Sequence, residues 1–225
     1  MSEPEIDRTS MGRPDPTGKS TLGPAYTERL VGLQTVWWKR LLPVQAPYRW
    51  NLRRLGLGRV LDIGCGLGRN LMHLDGNGVG VDHNDDFVQF ARERGLTTWT
   101  TETFPSSPDA EPGSYDALLL SHLIEHVDEA TADKIMATYL PYLRDGGRVL
   151  FITPQERGHA SDPAHVRFSD FDVLSMLALR HGLEVQRSWS FPFPRWVGKL
   201  FVYNEFNVLA LKPEPPVDAI DRRTS

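Results

Sequence analysis

Apolar and polar residues follow one another along the chain in blocks that predict alternating strands and helices. A short, partly β-branched apolar run consists of Val60, Leu61 and Ile63, and it is typical of a strand buried on both faces. Glycine then occupies every second position of 64–68, and the apolar spacing over 70–74 predicts an amphipathic helix. Strand, glycine turn and helix together open an α/β sheet, in which ligands bind beyond the carboxyl ends of the strands.

The same periodicities continue to the end of the chain. They predict strands at 78–81, 96–101, 115–121 and 148–153. Helices are predicted at 85–94, from 128 or 129 to the glycines 146–147, and from a Ser169 cap to Gly182. Two further β runs are predicted at 183–191 and 199–211. We expect residues 1–24 to be a disordered arm, 25–212 one domain, with cap helices at 25–56 and a core at 57–212, and 213–225 a tail.

The glycine turn narrows the class of ligand. Gly64 and Gly66 fit a dinucleotide fingerprint, but Arg69 stands where that fingerprint needs its third glycine. Asp62 precedes the turn and Asp82 ends the next strand, near the interval at which an acid accepts from ribose hydroxyls. Two acids favour a positively charged nucleoside over a phosphate-bearing one.

Four segments then resemble one family. They are Val-Leu-Asp-Ile-Gly-Cys-Gly-Leu-Gly at 60–68, Gly-Val-Asp at 80–82, the run 115–127 and Leu-Arg-Asp-Gly-Gly at 143–147. In this order they are similar to class I S-adenosylmethionine-dependent methyltransferases. The resemblance implies an α/β fold: a Rossmann-like seven-stranded, mostly parallel sheet with a C-terminal antiparallel hairpin and helices on both faces. It also implies S-adenosyl-L-methionine as the cofactor.

The expected cofactor-binding residues follow the motifs. They are Asp62, Gly64, Cys65, Gly66, Gly68, Asp82, His83, Glu102, Thr103, Ser121 and His122. Asp62 would act on the ammonium group and Asp82 on both ribose hydroxyls. By family position Glu102 would accept from the adenine amino group, or Thr103 would donate to a ring nitrogen. We expect Cys65 to pack as a small apolar residue.

Histidines supply the candidate catalytic bases, because their pKa lies near neutrality. His122, His126, His159 and His165 are the candidates, although a structural role is favoured for His126. His159, Asp162 and His165 share one loop and offer either a metal triad or a base with an orienting carboxylate. Their spacing is not that of a regular metal site, so we expect no metal.

Acceptor contacts are predicted at two places. Tyr48 and Arg49 lie in a helix before the first strand, where the family covers its cofactor, unless that helix only packs on the sheet. Phe193, Arg195 and Trp196 lie in a proline-rich turn and are expected to face a pocket, whereas the other aromatic residues of the last hairpin belong to the core.

Composition excludes several classes of partner. A net charge of −4 over 225 residues gives no basic surface for nucleic acid, and no apolar run approaches a membrane span. One cysteine excludes an internal disulfide and suits a reducing, cytoplasmic compartment. We expect no nucleic-acid or membrane partner, and a monomer or homodimer.

We therefore predict a methyltransferase that acts on an oxygen of a small molecule or a sugar-containing metabolite. An NAD(P)-dependent oxidoreductase is the first alternative, against which Arg69 and the terminal hairpin argue. A non-catalytic cofactor-binding protein of the same fold is the second.

Overall fold

The computed structural model describes residues 45–215. The predicted N-terminal arm, the helical pattern before residue 45 and most of the predicted tail lie outside this range.

Six helices and seven strands alternate along the described chain. The helices are α1 (Ala46–Arg53), α2 (Arg69–His73), α3 (Asp85–Arg92), α4 (Glu129–Tyr139), α5 (Glu156–His159) and α6 (Phe171–Arg180). The strands are β1 (Val60–Ile63), β2 (Gly78–Asp82), β3 (Thr98–Thr100), β4 (Tyr115–Ser121), β5 (Leu143–Pro154), β6 (Glu184–Phe191) and β7 (Glu205–Leu211). Short 3-10 turns at Phe104–Ser106, Ile124–His126, Leu140–Tyr142 and Arg195–Lys199 interrupt the connections.

All seven strands form one sheet in the order β3-β2-β1-β4-β5-β7-β6. The pairs from β3 across to β5 are parallel, and β7 runs antiparallel to both β5 and β6. The predicted seven-stranded, mostly parallel sheet with a C-terminal antiparallel hairpin is confirmed. The order reverses between β1 and β4, which opens a crevice at their carboxyl ends.

The two faces of the sheet carry separate apolar clusters. One face buries Leu118 and Phe151 against α4 and α6, and the other buries Leu119 and Leu150 near α1. Every residue of β1 is buried, Asp62 included, as the apolar residues Val60, Leu61 and Ile63 predicted. Helices therefore cover both faces, and the carboxyl edge is the place left for a ligand.

Three local predictions were wrong. The helix before β5 does not reach the Gly146–Gly147 pair; it ends at Tyr139, and a 3-10 turn that contains Pro141 follows. The two glycines lie inside β5 instead. Helix α6 is capped by Asp170, whose side chain accepts from the amides of residues 172 and 173, and not by Ser169. The last hairpin is shorter than expected, because Arg195–Lys199 is a 3-10 turn and β7 begins at Glu205.

Between residues 45 and 215, no helix combines the length and the apolar character that crossing a bilayer requires.

Candidate functional site

A cavity of about 430 Å³ opens at the carboxyl edge of the sheet, where β1, β2 and β4 end. This volume lies within the range of small-molecule and cofactor sites. Its wall includes most of the residues predicted from the motifs: Gly64, Cys65, Gly66, Asp82, His83, Ser121, His122, His126 and His165.

The glycine turn forms one side of this cavity. Gly64, Gly66 and Gly68 all have positive φ, at 71°, 52° and 77°, a conformation that strains any side chain. A Cβ at Gly66 would meet no atom within 4 Å, so the backbone lies open there. A Cβ at Gly68 would overlap the Leu96 side chain and lie 3.2 Å from the Ala91 Cβ. Gly66 thus leaves room for a ligand, whereas Gly68 is needed for packing.

Asp82 connects the turn to the end of β2. Its Oδ2 accepts from the Gly66 amide at 2.8 Å, and its Oδ1 accepts from the Asn84 amide at 2.9 Å. The residue is 5% exposed and lies on the cavity wall. Burial raises the pKa of its carboxyl group, against the hydrogen bonds that favour the charged form. Oδ1 also lies 3.4 Å from the His83 Nδ1 atom, and Oδ2 keeps a further lone pair for a ligand hydroxyl.

Asp62 lies behind the turn and is not part of the cavity wall. It is fully buried, and neither of its oxygens makes a well-formed hydrogen bond with a described residue. Burial raises its pKa to about 7; the Asp82 charge adds to the rise, and the Asn70 side chain and the Arg69 charge oppose it. An acid in this position is available to an ordered water or to a cation that reaches the turn.

The wall beyond β3 differs from the prediction. Thr101 lines the cavity, whereas Glu102 and Thr103 are exposed and do not. The Thr103 hydroxyl instead accepts from the Thr100 amide at 3.1 Å, and Glu102 accepts from the Thr101 hydroxyl at 3.0 Å. The predicted adenine contacts Glu102 and Thr103 therefore do not line the cavity, whereas the neighbouring Thr101 does.

His122 follows β4 and is held between two carboxylates. Its Nδ1 lies 3.2 Å from Glu125 Oε1 and its Nε2 lies 3.0 Å from Glu205 Oε1. Burial lowers its pKa, but the hydrogen bonds and charges of the two acids outweigh burial and raise it to about 9. The ring therefore carries a proton at neutral pH. This arrangement argues against the predicted role of His122 as a general base.

The other three histidine candidates lie together beside the cavity. The rings of His126 and His165 are 4.7 Å apart, and those of His159 and His165 are stacked at 5.0 Å. Burial lowers the pKa of His126 and of His159, so both rings are uncharged at neutral pH. His126, His165 and Asp162 line the cavity, but His159 does not.

None of the predicted acceptor contacts lines this cavity. Tyr48 donates to the Tyr203 carbonyl at 2.7 Å, and Arg195 forms an ion pair with Glu156, with one N–O distance of 2.7 Å. Arg49, Phe193 and Trp196 are exposed. Their part in acceptor binding stays a prediction.

Sequence reasoning missed several wall residues, among them Arg69, Thr131, Ile135 and Tyr139. Ile135 and Tyr139 had an available signal, because their helical spacing placed them on the buried face of α4. Glu205 does not line the cavity but holds His122, and no sequence signal pointed to it, because it is 83 residues from that histidine.

A methyltransferase domain model matches residues 38–207. The chain belongs to the methyltransferase domain family. The family, the fold and S-adenosyl-L-methionine as the cofactor are therefore as the four motifs implied. The open backbone at Gly66 and the buried acid beneath it fit such a cofactor.

Curated relatives of this family member are ubiquinone biosynthesis O-methyltransferases. The protein of Xanthomonas euvesicatoria pv. vesicatoria is 25% identical over 143 residues, which cover 56% of this chain and 59% of the relative. That of Pectobacterium atrosepticum is 27% identical over 135 residues, 52% of this chain and 55% of the relative. The chain thus spans less than two thirds of the length of these relatives.

Solved structures share the fold. A SAM-dependent methyltransferase from Archaeoglobus fulgidus superposes with a TM-score of 0.55 at 20% identity, over 73% of this chain and 93% of that one. The N-methyltransferase NodS from Bradyrhizobium japonicum superposes with a TM-score of 0.58 at 14% identity, over 76% and 98%. Since one of these neighbours is an N-methyltransferase, the fold does not determine which atom is methylated.

Proposed function

We propose that this methyltransferase-family protein transfers a methyl group from S-adenosyl-L-methionine to an oxygen atom of a small molecule. The observation that carries the proposal is the cavity itself, with an open glycine backbone and a buried carboxylate at one end and the uncharged ring of His126 at the other. The cofactor supplies an activated methyl group on a sulfonium. The protein has to bind it, orient the acceptor and deal with the acceptor's proton.

Asp82 and the glycine turn are the proposed nucleoside-binding residues. The carboxylate is held on the cavity wall by the Gly66 and Asn84 amides, so its position is fixed before a ligand binds. A fixed, buried acceptor suits two neighbouring hydroxyls, as on a ribose. Thr101 and His83 flank this end of the cavity.

The acceptor end is the part of the wall formed by Ser121, His126 and His165. Methylation of a weakly acidic hydroxyl needs a group that takes up or displaces the proton. Uncharged histidine meets this need, and the O-methyltransferase relatives support oxygen as the target. The size of the cavity favours a small acceptor over a macromolecule.

The binding test compares two ligands and two variants. Calorimetry should detect binding of S-adenosylhomocysteine but not of NADH. Asp82→Asn should weaken the binding of S-adenosylhomocysteine by at least about tenfold, which is about 1.4 kcal/mol. Asp86→Asn is the matched control, since Asp86 lies in the first turn of α3 and does not line the cavity. NADH binding, or equal affinity in both variants, would contradict the proposal.

Turnover separates an enzyme from a non-catalytic binding protein. Formation of S-adenosylhomocysteine from S-adenosylmethionine should depend on a hydroxyl-bearing acceptor, with a phenol, a sugar and a primary amine tested side by side. Methylation of the amine alone would overturn the choice of oxygen.

A further inference from the structure

We propose that Glu125, His126 and His165 form a binding site for one divalent transition-metal ion of the zinc class. One donor atom from each residue lies within 4.8 Å of the donor atoms of the other two. Glu125 is fully buried, and the two histidines are half-buried on the cavity wall. Two imidazoles and one carboxylate that leave a coordination position open are a typical ligand set of catalytic zinc.

The contacts behind the two histidines prepare them as ligands. His126 Nδ1 lies 3.2 Å from the Ala164 carbonyl, and His165 Nδ1 lies 2.8 Å from the His159 carbonyl. A carbonyl oxygen can only accept, so Nδ1 carries a hydrogen in each ring, and in the neutral form of each ring the lone pair is on Nε2. Metal-binding histidines nearly always have such a hydrogen bond on the nitrogen that does not bind the metal.

Glu125 provides a carboxylate oxygen that the rest of the chain leaves unused. Its Oε1 is paired with His122, but its buried Oε2 has no hydrogen-bond partner among residues 45–215. A buried, unpartnered carboxylate oxygen is costly unless a proton or a cation satisfies it. The neighbouring imidazole nitrogens make a cation the occupant that the site favours.

The backbone holds the two halves of the site together. The Val166 and Arg167 amides donate to the Glu125 carbonyl at 2.8 and 3.1 Å, which fixes the loop of His165 beside the 3-10 turn of Glu125 and His126. In a tetrahedral zinc site, neighbouring donors are about 3.3 Å apart. Since the three donors lie within 4.8 Å of one another, they have to approach by at most about 1.5 Å, a distance on the scale of a side-chain rotation.

The test measures metal binding without turnover. The untagged full-length protein, stripped with a chelator, is titrated with Co²⁺ while its visible absorption is recorded. We expect one Co²⁺ per chain, displaced by Zn²⁺, and binding at least about tenfold weaker in His165→Ala and in Glu125→Gln. His181→Ala is the matched control, because His181 is paired with Asp133 at 2.8 Å in another part of the fold.

The two ligand variants protect the test against misfolding. Glu125 also holds His122, so if Glu125→Gln fails to fold, the loop variant His165→Ala decides. Absence of the cobalt absorption band, or an unchanged affinity in His165→Ala, would overturn the site and leave these side chains as a hydrogen-bonded histidine cluster.

The use of the ion rests on the proposed function. Held beside the acceptor end of the cavity, a Lewis acid would bind the acceptor oxygen and lower the pKa of its hydroxyl group. With the ion bound, His126 would act as its ligand and not as the proton acceptor, because both roles need the same Nε2 lone pair. If the protein binds S-adenosylhomocysteine but no Co²⁺, only the proposed metal site is rejected. Loss of S-adenosylhomocysteine binding in the wild-type protein would instead remove the proposed function.

Discussion

At the scale of single residues, both the backbone and the side chain of His122 are constrained. It adopts a positive φ of 56°, uncommon for a residue other than glycine, directly after β4. Its two ring nitrogens are each within 3.2 Å of a carboxylate oxygen. Backbone strain of this kind is found where a structure fixes a functional side chain. We interpret His122 as a fixed positive charge that orders Glu125 and Glu205.

This interpretation predicts a pH dependence of stability. The pKa of His122 is raised in the folded protein from 6.5 to about 9, so the contact contributes fully below about pH 6.5 and is lost as the pH rises through about 9. The free energy of unfolding of the wild type should therefore approach that of His122→Gln between about pH 7 and about pH 10.

The direct measurement is the imidazole nitrogen shift of His122 followed by NMR across the same range. Glu205→Gln should lower the midpoint, because it removes one of the two acids. A midpoint near the ordinary histidine pKa of about 6.5 in the wild type would contradict the interpretation of His122 as a fixed positive charge.

At the scale of elements, the glycine turn separates packing from ligand access. Gly66→Ala should cost about 1–2 kcal/mol of stability, because alanine is strained at positive φ. It should also weaken S-adenosylhomocysteine binding by at least about tenfold, because the alanine methyl group enters open space on the cavity wall. Gly68→Ala should lose about 1–3 kcal/mol more stability, because its methyl group collides with Leu96, while its folded fraction keeps affinity within about threefold.

Thermal unfolding and calorimetry on the two variants provide the check. Equal loss of affinity in both would show that the turn acts as one unit rather than as two glycines with different tasks.

The start of α6 gives a second prediction at this scale. Asp170 accepts from two amides of the first turn, at 3.1 Å each, whereas the Ser169 hydroxyl contacts the Arg167 carbonyl at 3.4 Å. Asp170→Ala should lower the free energy of unfolding by about 1 kcal/mol, and Ser169→Ala by less. Urea denaturation of both variants is the measurement, and a larger loss in Ser169→Ala would restore the cap that the sequence suggested.

At the scale of the whole molecule, β7 joins the C-terminal hairpin to the parallel sheet. Phe206 on this strand is fully buried and contacts the rings of Phe171 and Phe168 at 4.7 and 5.8 Å, while the Arg195 guanidinium lies 4.6 Å above its ring. One side chain thus packs against α6, the loop before it and the turn after β6.

Removal of this ring should destabilise the domain as one unit. Phe206→Ala should cost about 3–5 kcal/mol, with a single transition by fluorescence and circular dichroism. Leu179→Ala, at an exposed position of α6, should stay within about 0.5 kcal/mol of the wild type. Two separate transitions in the wild type would show that the hairpin folds apart from the sheet.

The sequence by itself determined the features whose physics is local. A mostly apolar run favours burial on both faces, so β1 and β4 could be located. Positive φ favours glycine, so the turn at 64–68 could be located. The position of Asp82 on the cavity wall could be predicted from its place at the end of a strand, and the motifs led to the methyltransferase family.

Only the tertiary structure decided which distant side chains meet. Insertion of β7 next to β5 brings Glu205 to His122, and the loop after β5 brings His165 to Glu125 and His126. Such contacts depend on strand order and loop path, which no local periodicity encodes. The same holds for the charge of His122, because an imidazole has an ordinary pKa until burial and neighbouring acids determine it.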